Sequence, residues 1–229
     1  MDIIAFFDID NTLIRSSRGH VEALLVCIAE VYGIDALIDV INHHGMTDQE
    51  IITRILEKYE IDQAAIKARL ADCMACMVRK YAAIVKSEKI VIMPGVLNLL
   101  SKLEKHGILL GLVTGNLEPI ARAKLKKIGI DHFFKIGGFG SDHIRRSSLI
   151  TIALERAEAL FDGDSQRRVF HFGDAPQDMQ AGREAGVVPI GVATGVFTAQ
   201  QLTSAGAAKV FSDLRGANDI IQYINSMKI

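Results

Sequence analysis

Apolar and polar positions alternate regularly over the second half of the chain, from about residue 108 onward. Short apolar runs such as ILLGLVT and RVFHFGD are typical of buried strands. Each is followed by a segment with helical spacing, such as LEPIARAKLKKIG or QDMQAGREAG. Strands that alternate with helices form a parallel sheet with helices on both faces. The pattern therefore predicts an α/β fold built on a doubly wound parallel sheet.

The first apolar run, residues 3–9, is continuous in the way that a central parallel strand requires. The next convincing strand comes only about a hundred residues later. The segments between the two show the periodicity of amphipathic helices, without a strand among them: residues 16–32, 47–59 and 62–87.

This change of pattern predicts two domains. The α/β core comprises residues 1–14 and 89–229, and a smaller all-helical domain of residues 15–88 is inserted into it. Turn-forming sequences at the two junctions, RSSRG and SEKIVIMPG, are the expected hinges.

Composition narrows the class of ligand. The chain has 26 Lys and Arg residues against 27 Asp and Glu, so no basic surface for nucleic acid is expected. The apolar stretch near the N-terminus is too short for a signal peptide or a membrane span. We therefore expect a soluble protein that binds neither nucleic acid nor membranes and takes small neutral or anionic ligands.

The three cysteines, Cys27, Cys73 and Cys76, lie in helix-like segments. Their odd number and irregular spacing argue against a disulfide framework and favour a reducing cytoplasm. Cys73 and Cys76 form a C-x-x-C pair, but there is no second pair, so we interpret them as buried apolar residues rather than metal ligands.

Acidic residues follow two of the predicted strands. Asp8 and Asp10 end the first strand, where alternate side chains share a face about 6.6 Å apart. Asp174 and Asp178 follow the strand RVFHFG at helical spacing. Each pair could instead belong to an ordinary turn or helix start. Because ligands bind at the carboxyl ends of parallel strands, however, both pairs are expected at one edge of the sheet.

Carboxylates gathered in this way repel one another. Each close pair costs on the order of 4 kcal/mol at an effective dielectric constant near 20. A cation must offset this cost, and a small site made of oxygen ligands favours Mg²⁺.

Two further motifs could bind an anion. Thr114, Gly115 and Asn116 end the strand LLGLVT and offer a hydroxyl group, a close backbone approach and amides at a helix start. The basic pair Arg145 and Arg146 could neutralise a phosphate. Alone, the first motif is also an ordinary turn and the second a solvated pair. Together with the carboxylates they predict a phosphoryl-transfer site.

The order of these motifs resembles that of the haloacid dehalogenase superfamily of phosphohydrolases. DIDNT is similar to its first motif, VTGN to its second and GDAPQD to its fourth, and Arg146 stands near its third. The resemblance spans residues 3 to about 196. It implies a Rossmann-like core with a helical cap inserted after the first motif. The third motif commonly carries Lys, whereas this chain offers only arginines, and Arg145 remains an alternative to Arg146.

The resemblance also implies roles for individual residues. Asp8 would be the nucleophile that forms an aspartyl-phosphate, and Asp10 the general acid and base. Thr114 and Arg146 would hold the phosphate. The Mg²⁺ ligands would be Asp8, the backbone carbonyl of Asp10, and Asp174, with Asp178 bound directly or close by.

The implied activity is Mg²⁺-dependent hydrolysis of a small phosphorylated metabolite, as in phosphoglycolate phosphatases. Dehalogenases of the superfamily lack the second aspartate, so Asp10 favours phosphate chemistry. A sugar-phosphate mutase would use the same core residues. A different class of function is a regulatory module phosphorylated on Asp8 without turnover, which the helical insertion fits poorly.

Substrate choice is expected in the insertion, where NHHGMTDQEI breaks the helical pattern at Gly45. Phosphoglycolate phosphatase-like relatives have a similar Gly-Met-Thr-Asp stretch. His43, His44 and Thr47 could touch the substrate, and His44 and Thr47 are the candidates for substrate specificity. Histidines before a helix are, however, more often surface or capping residues. The glycine cluster GGFGSDH lacks a full nucleotide-binding fingerprint and is interpreted as a strand-end loop leading to Arg146.

Overall fold

A computed structural model describes the protein over residues 3–161 and 167–227. The strands in this part of the chain are β1 (Ile3–Phe7), β2 (Ile14–Ser16), β3 (Ile90–Ile92), β4 (Leu109–Thr114), β5 (Ile136–Phe139), β6 (Arg168–Gly173), β7 (Val188–Val192) and β8 (Lys209–Phe211). The helices are α1 (Gly19–Tyr32), α2 (Asp48–Lys58), α3 (Gln63–Ile84), α4 (Val96–Lys105), α5 (Glu118–Lys127), α6 (Arg146–Glu158), α7 (Pro176–Glu184), α8 (Ala199–Ser204) and α9 (Ala217–Ser226).

The main sheet has six strands in the order β5-β4-β1-β6-β7-β8, and every neighbouring pair in it is parallel. The chain winds outward from β1 in both directions, first through β4 and β5 and then through β6, β7 and β8. This confirms the α/β fold with a doubly wound sheet. The point where the winding reverses lies between β1 and β6, and ligand sites of open α/β sheets form there.

Strand β1 shows why the sheet is covered on both faces. Ala5 and Phe7 pack into an apolar cluster that includes residues of α4 and α9, while Ile4 and Phe6 pack into a second cluster with residues of α6 and α7. Phe7 stacks on Phe172 of β6 with the ring centroids 4.6 Å apart. Burial of each such aromatic side chain contributes about 1.5–3 kcal/mol. A strand buried on both faces must be apolar throughout, as β1 is.

Helices α1, α2 and α3 pack around a third apolar cluster, which also includes Leu117 and Ile120 at the start of α5. They begin and end within a few residues of the ranges that the periodicity predicted. Asp62 caps α3 by accepting hydrogen bonds from the amides of Ala64 and Ala65. The sequence did not reveal β2 and β3, which pair antiparallel where the chain leaves the core and returns to it. Three-residue strands carry too little periodicity to be recognised.

The expectation of unpaired cysteines is wrong for two of the three. Cys27 of α1 and Cys76 of α3 form a disulfide, with the Cα atoms 5.7 Å apart. Their separation of 49 residues gave no signal in the sequence, because packing of α1 against α3 brings them together. Cys73 is free and buried, in agreement with its interpretation as an apolar residue.

No helix within residues 3–161 and 167–227 combines the length and the apolar character that crossing a bilayer would require.

Candidate active site

Carboxylates from two neighbouring strands meet at the carboxyl edge of the sheet. Asp8 follows β1 and Asp174 follows β6, and the Asp8 amide donates to the Phe172 carbonyl over 2.8 Å. Asp8, Asp174 and Asp178 each place a carboxylate oxygen within 4.8 Å of the others, and all three residues are buried. The two acidic motifs therefore converge, as their positions in the sequence predicted.

Burial and mutual repulsion disturb the ionisation of this cluster. Burial, with the charges of Asp178 and Asp10, raises the pKa of Asp8 to about 7 although Arg146 opposes the shift. Burial, with the charges of Asp8 and Asp178, raises the pKa of Asp174 to about 8. A divalent cation would remove this repulsion, and a buried set of carboxylate oxygens suits a hard ion such as Mg²⁺. The residues therefore fit a metal site.

Asp178 differs from the other two because protein donors already occupy both of its oxygens. Oδ1 accepts from Arg146 Nε at 2.7 Å and from His171 Nε2 at 3.2 Å, while Oδ2 accepts from the Ala175 amide at 3.1 Å. Burial acts to raise the pKa of Asp178, but Arg146 and His171 outweigh it and hold the pKa below its usual range. Asp178 therefore has less free capacity to bind an ion, since Oδ1 accepts two hydrogen bonds and Oδ2 one.

Arg146 is the first residue of α6, and its guanidinium group bridges three parts of the molecule. Nη2 lies 2.7 Å from Asp8 Oδ1, Nε donates to Asp178, and Nη1 donates to the Gly45 carbonyl at 3.3 Å. Arg145 is exposed. The structure thus places Arg146, rather than Arg145, beside the carboxylates.

Asn116, two residues after β4, connects the end of this strand to Asp10. Asn116 Nδ2 donates to Thr114 Oγ1 over 2.9 Å and to Asp10 Oδ2 over 2.8 Å. Gly115 has a different neighbour, since a Cβ atom at this position would lie 2.2 Å from the Met46 carbonyl oxygen. The close backbone approach that this glycine allows is therefore used by the loop before α2.

Lys124 of α5 belongs to the site although no sequence motif pointed to it. Its Nζ donates to Asp10 at 2.9 and 2.7 Å, to Asn116 Oδ1 at 2.7 Å and to His20 Nδ1 at 3.2 Å. Burial acts to raise the pKa of Asp10, but the Lys124 ammonium outweighs it and lowers the pKa to about 2. One signal was present: Lys124 lies in the stripe of α5 that includes the buried residues Ile120, Ala121 and Leu125. A lysine in such a stripe needs a buried acceptor.

His20 of α1 extends this network into the helical insertion. Because the ammonium of Lys124 can only donate, His20 Nδ1 must be the acceptor, and the ring proton lies on Nε2. Nε2 then donates to Asp48 Oδ2 over 3.1 Å, and Asp48 also accepts from the Leu117 amide over 2.8 Å. A continuous chain of hydrogen bonds runs from Asp10 to the start of α2.

The two substrate-contact candidates in the insertion have different surroundings. Thr47 is buried, caps α2 through the Glu50 amide and donates to the Ile144 carbonyl over 2.9 Å. His44 lines the cavity described below, stacks on His43 with ring centroids 4.7 Å apart, and meets Phe197 edge to face at 6.2 Å.

A cavity of about 290 Å³ connects these groups. Its lining includes the carboxylates at the sheet edge, Asn116, Lys124 and Arg146 on one side, and residues of α1 and the 38–51 segment on the other. This volume lies at the lower end of the range for small-molecule sites, so the cavity suits a small ligand.

Comparisons with known proteins agree with this architecture. The chain is 27% identical over 215 residues to a phosphoglycolate phosphatase of Pseudomonas putida, which covers 93% of this chain and 77% of the relative. It is 30% identical over 229 residues to a phosphoglycolate phosphatase of Rhodospirillum rubrum, and this match covers 93% of this chain and 88% of the relative.

Among solved structures, a predicted phosphatase from Clostridium acetobutylicum is similar in fold, with a TM-score of 0.71, 19% identity and 99% of each chain covered. The family model for haloacid dehalogenase-like hydrolases matches residues 5–192. The chain belongs to the haloacid dehalogenase-like hydrolase family.

Proposed function

We propose that the protein is a Mg²⁺-dependent phosphomonoester hydrolase that acts on a small phosphorylated metabolite through an aspartyl-phosphate on Asp8. The observation that carries the proposal is the meeting of Asp8, Asp174 and Arg146 at one end of a small cavity whose wall also includes Asp10. The names of the phosphoglycolate phosphatase relatives support the reaction class.

In the first step, an Asp8 carboxylate oxygen attacks phosphorus. A bond forms between this oxygen and phosphorus, the bond to the leaving oxygen breaks, and Asp10 gives its proton to that oxygen. Arg146 stabilises charge on the phosphoryl oxygens, and Thr114 and Asn116 position the group from the end of β4. The contacts of Lys124 keep Asp10 ionised before the substrate binds. Asp10 therefore takes its proton either from the phosphate group of the substrate or from water after Lys124 has been displaced.

In the second step, water attacks the phosphorus of the aspartyl-phosphate. Asp10 takes the water proton, the bond between phosphorus and Asp8 breaks, and inorganic phosphate leaves. Mg²⁺, held by Asp8, the Asp10 backbone carbonyl and Asp174, would neutralise the phosphoryl oxygens when bound. Asp178 keeps Arg146 in place and would lie close to the ion.

We propose residues 15–88 as a cap on a core of residues 1–14 and 89–229. In support, Thr47 and the first two residues of α2 make hydrogen bonds to the core. The Asp48 amide donates to Gly115, Thr47 donates to Ile144, and the Gln49 side chain donates to Gly140. A cap held in this way excludes water from the aspartyl-phosphate.

The test is hydrolysis of p-nitrophenyl phosphate and of a panel of phosphorylated metabolites, with and without Mg²⁺. We expect phosphate release that needs Mg²⁺ and is lost in Asp8→Asn, while the matched variant Asp72→Asn, at an exposed position of α3, keeps full activity. Movement of phosphate within a substrate without its release would identify a mutase. Stable phosphorylation of Asp8 without turnover would identify a regulatory module.

The cytoplasm is the proposed location, because charged phosphate esters do not cross membranes unaided. The disulfide between Cys27 and Cys76 is more typical of an oxidising compartment. Cell fractionation, combined with a thiol count in the protein isolated without reductant, tests the location and the disulfide separately.

A further inference from the structure

The cavity has two chemically different ends. The end at the sheet carries the carboxylates and Arg146 described above. The opposite end is formed by the helical insertion, where five apolar side chains line the cavity beside polar ones: Val21, Leu24, Ile38, Met46 and Ile51. These five side chains define the apolar end. In the proposed reaction the phosphate lies at the first end, so the leaving group must lie against the second.

Two cationic side chains, Lys124 and Arg146, line the cavity in the part of the chain that the structure describes, and both are already bound to protein acceptors. Lys124 is almost fully buried, and the three protons of its ammonium face Asp10, Asn116 and His20. Arg146 lies at the phosphate end and bonds to carboxylates there. Neither can move to an anionic group at the apolar end without breaking these bonds.

The lining also carries an excess of negative charge. Five carboxyl groups line the cavity against the two cations: Asp8, Asp10, Asp48, Asp174 and Asp178. A divalent ion together with Arg146 can balance the phosphate. A second anionic group on the ligand would instead face the carboxylates of Asp10 and Asp48, while both cations of the described lining are engaged with protein acceptors, which disfavours its binding.

Two histidines of this end, His20 and His43, have surroundings that do not favour a free cation. Both ring nitrogens of His20 are engaged, one with Lys124 and the other with Asp48. Burial and the neighbouring His44 lower the pKa of His43, which favours its neutral form. Arg18, whose charge also acts on His43, is exposed and lies outside the lining.

We propose, resting on the function proposed above, that the leaving group of the substrate is a small neutral alcohol with an apolar portion and no second ionised group. Hydroxyl groups on it can bond to His43, His44, Ser16 and Ser17, which also line the cavity. This distinguishes the site from one built for phosphoglycolate, whose leaving group carries a carboxylate.

The first experiment measures binding and does not need turnover. Propylphosphonate and 2-carboxyethylphosphonate have nearly the same shape and differ in the charge of the terminal group. We expect calorimetry with the Mg²⁺-loaded protein to show about tenfold or more tighter binding of propylphosphonate. Equal binding, or tighter binding of the carboxylate, would overturn the proposal.

A variant pair tests whether the apolar wall sets this preference. Met46→Lys places a cation at the apolar end, and Met46→Leu preserves the wall. Both are first checked for an unchanged melting profile. We expect the ratio of the two affinities to move toward the carboxylate in Met46→Lys and to stay unchanged in Met46→Leu. An unchanged ratio in both variants would contradict the role given to the wall.

Turnover separates this inference from the proposed function. A protein that hydrolyses 2-phosphoglycolate better than ethyl phosphate would be a phosphatase for which this inference is wrong. If the protein binds propylphosphonate selectively but hydrolyses no phosphomonoester, the preference for a neutral ligand is supported and the proposed function is wrong.

Discussion

Lys124 donates hydrogen bonds to both carboxylate oxygens of Asp10, at 2.9 and 2.7 Å. One residue lies on α5 and the other just beyond β1, separated by 114 positions in the chain. The contact fixes the direction of the Asp10 carboxylate and favours its ionised form. In the proposed mechanism it therefore controls the group that handles the leaving-group proton.

Lys124→Met should impair proton transfer to the leaving group, because loss of the two bonds that orient the Asp10 carboxylate outweighs the accompanying rise in the pKa of Asp10. We expect kcat/KM for an alkyl phosphate to fall by about tenfold to a hundredfold, within the range that general acid catalysis supplies. The fall for p-nitrophenyl phosphate should be much smaller, because its leaving group needs little protonation. Lys126→Met, at an exposed position on the same helix, is the control. Equal losses on both substrates would mean that Lys124 does not act through Asp10.

Arg146→Lys keeps the positive charge but loses the forked geometry. A lysine cannot reproduce the simultaneous bonds to Asp8, Asp178 and Gly45. We expect a fall of about tenfold or more in kcat/KM, of the size that loss of a charge-assisted hydrogen bond produces. Arg145→Lys should leave the steady-state kinetics unchanged. If kcat/KM instead fell in Arg145→Lys and not in Arg146→Lys, Arg145 would be the residue that contacts the phosphate.

The raised pKa values of Asp8 and Asp174 predict how stability depends on pH. Above about pH 4 the unfolded chain has lost these protons, while the folded protein without metal keeps them up to about pH 7 and pH 8. The folded state therefore binds more protons in this interval, and its melting temperature without metal should fall as the pH rises. Because Mg²⁺ competes with the protons, the stabilisation it gives should grow over the same interval.

Differential scanning fluorimetry with EDTA and with Mg²⁺ measures both effects. Asp174→Asn should flatten the pH dependence in EDTA and remove most of the response to Mg²⁺. A melting temperature that rises with pH in EDTA would contradict the ionisation of the cluster derived above.

Gly115→Ala should loosen the contact between the helical insertion and the core. The added Cβ atom would lie 2.2 Å from the backbone oxygen of Met46, so the loop must move. We expect a higher KM and faster proteolysis of the insertion. Gly216→Ala is a mild control, since its Cβ atom would meet only Asp219 at 3.3 Å and the backbone φ there is −76°. Unchanged kinetics and proteolysis in Gly115→Ala would argue against a role for this contact.

His44 and Thr47 should respond differently to truncation. His44→Ala removes a cavity wall and should alter KM more than the Mg²⁺ requirement. Thr47→Ala removes a helix cap and should lower the free energy of unfolding by about 1 kcal/mol. Enzyme kinetics and urea denaturation of the two variants measure these effects. Substrate kinetics unchanged in both would refute a role for this loop in substrate choice.

The sequence by itself determined the sheet and the convergence of its acidic residues. Runs buried on both faces must be apolar, and the carboxyl ends of parallel strands share one edge, so the positions of Asp8 and Asp174 followed from local pattern and topology. The helices of the insertion were predictable for the same reason, because amphipathic periodicity is a local property.

Only the tertiary structure decided which side chains meet across large separations. Lys124 with Asp10 and Cys27 with Cys76 are such contacts, each between different elements. Periodicity says which face of an element is buried, but it does not say which residue of another element packs there. The same limit applies to the cavity, since its two unlike ends exist only where the insertion lies over the sheet.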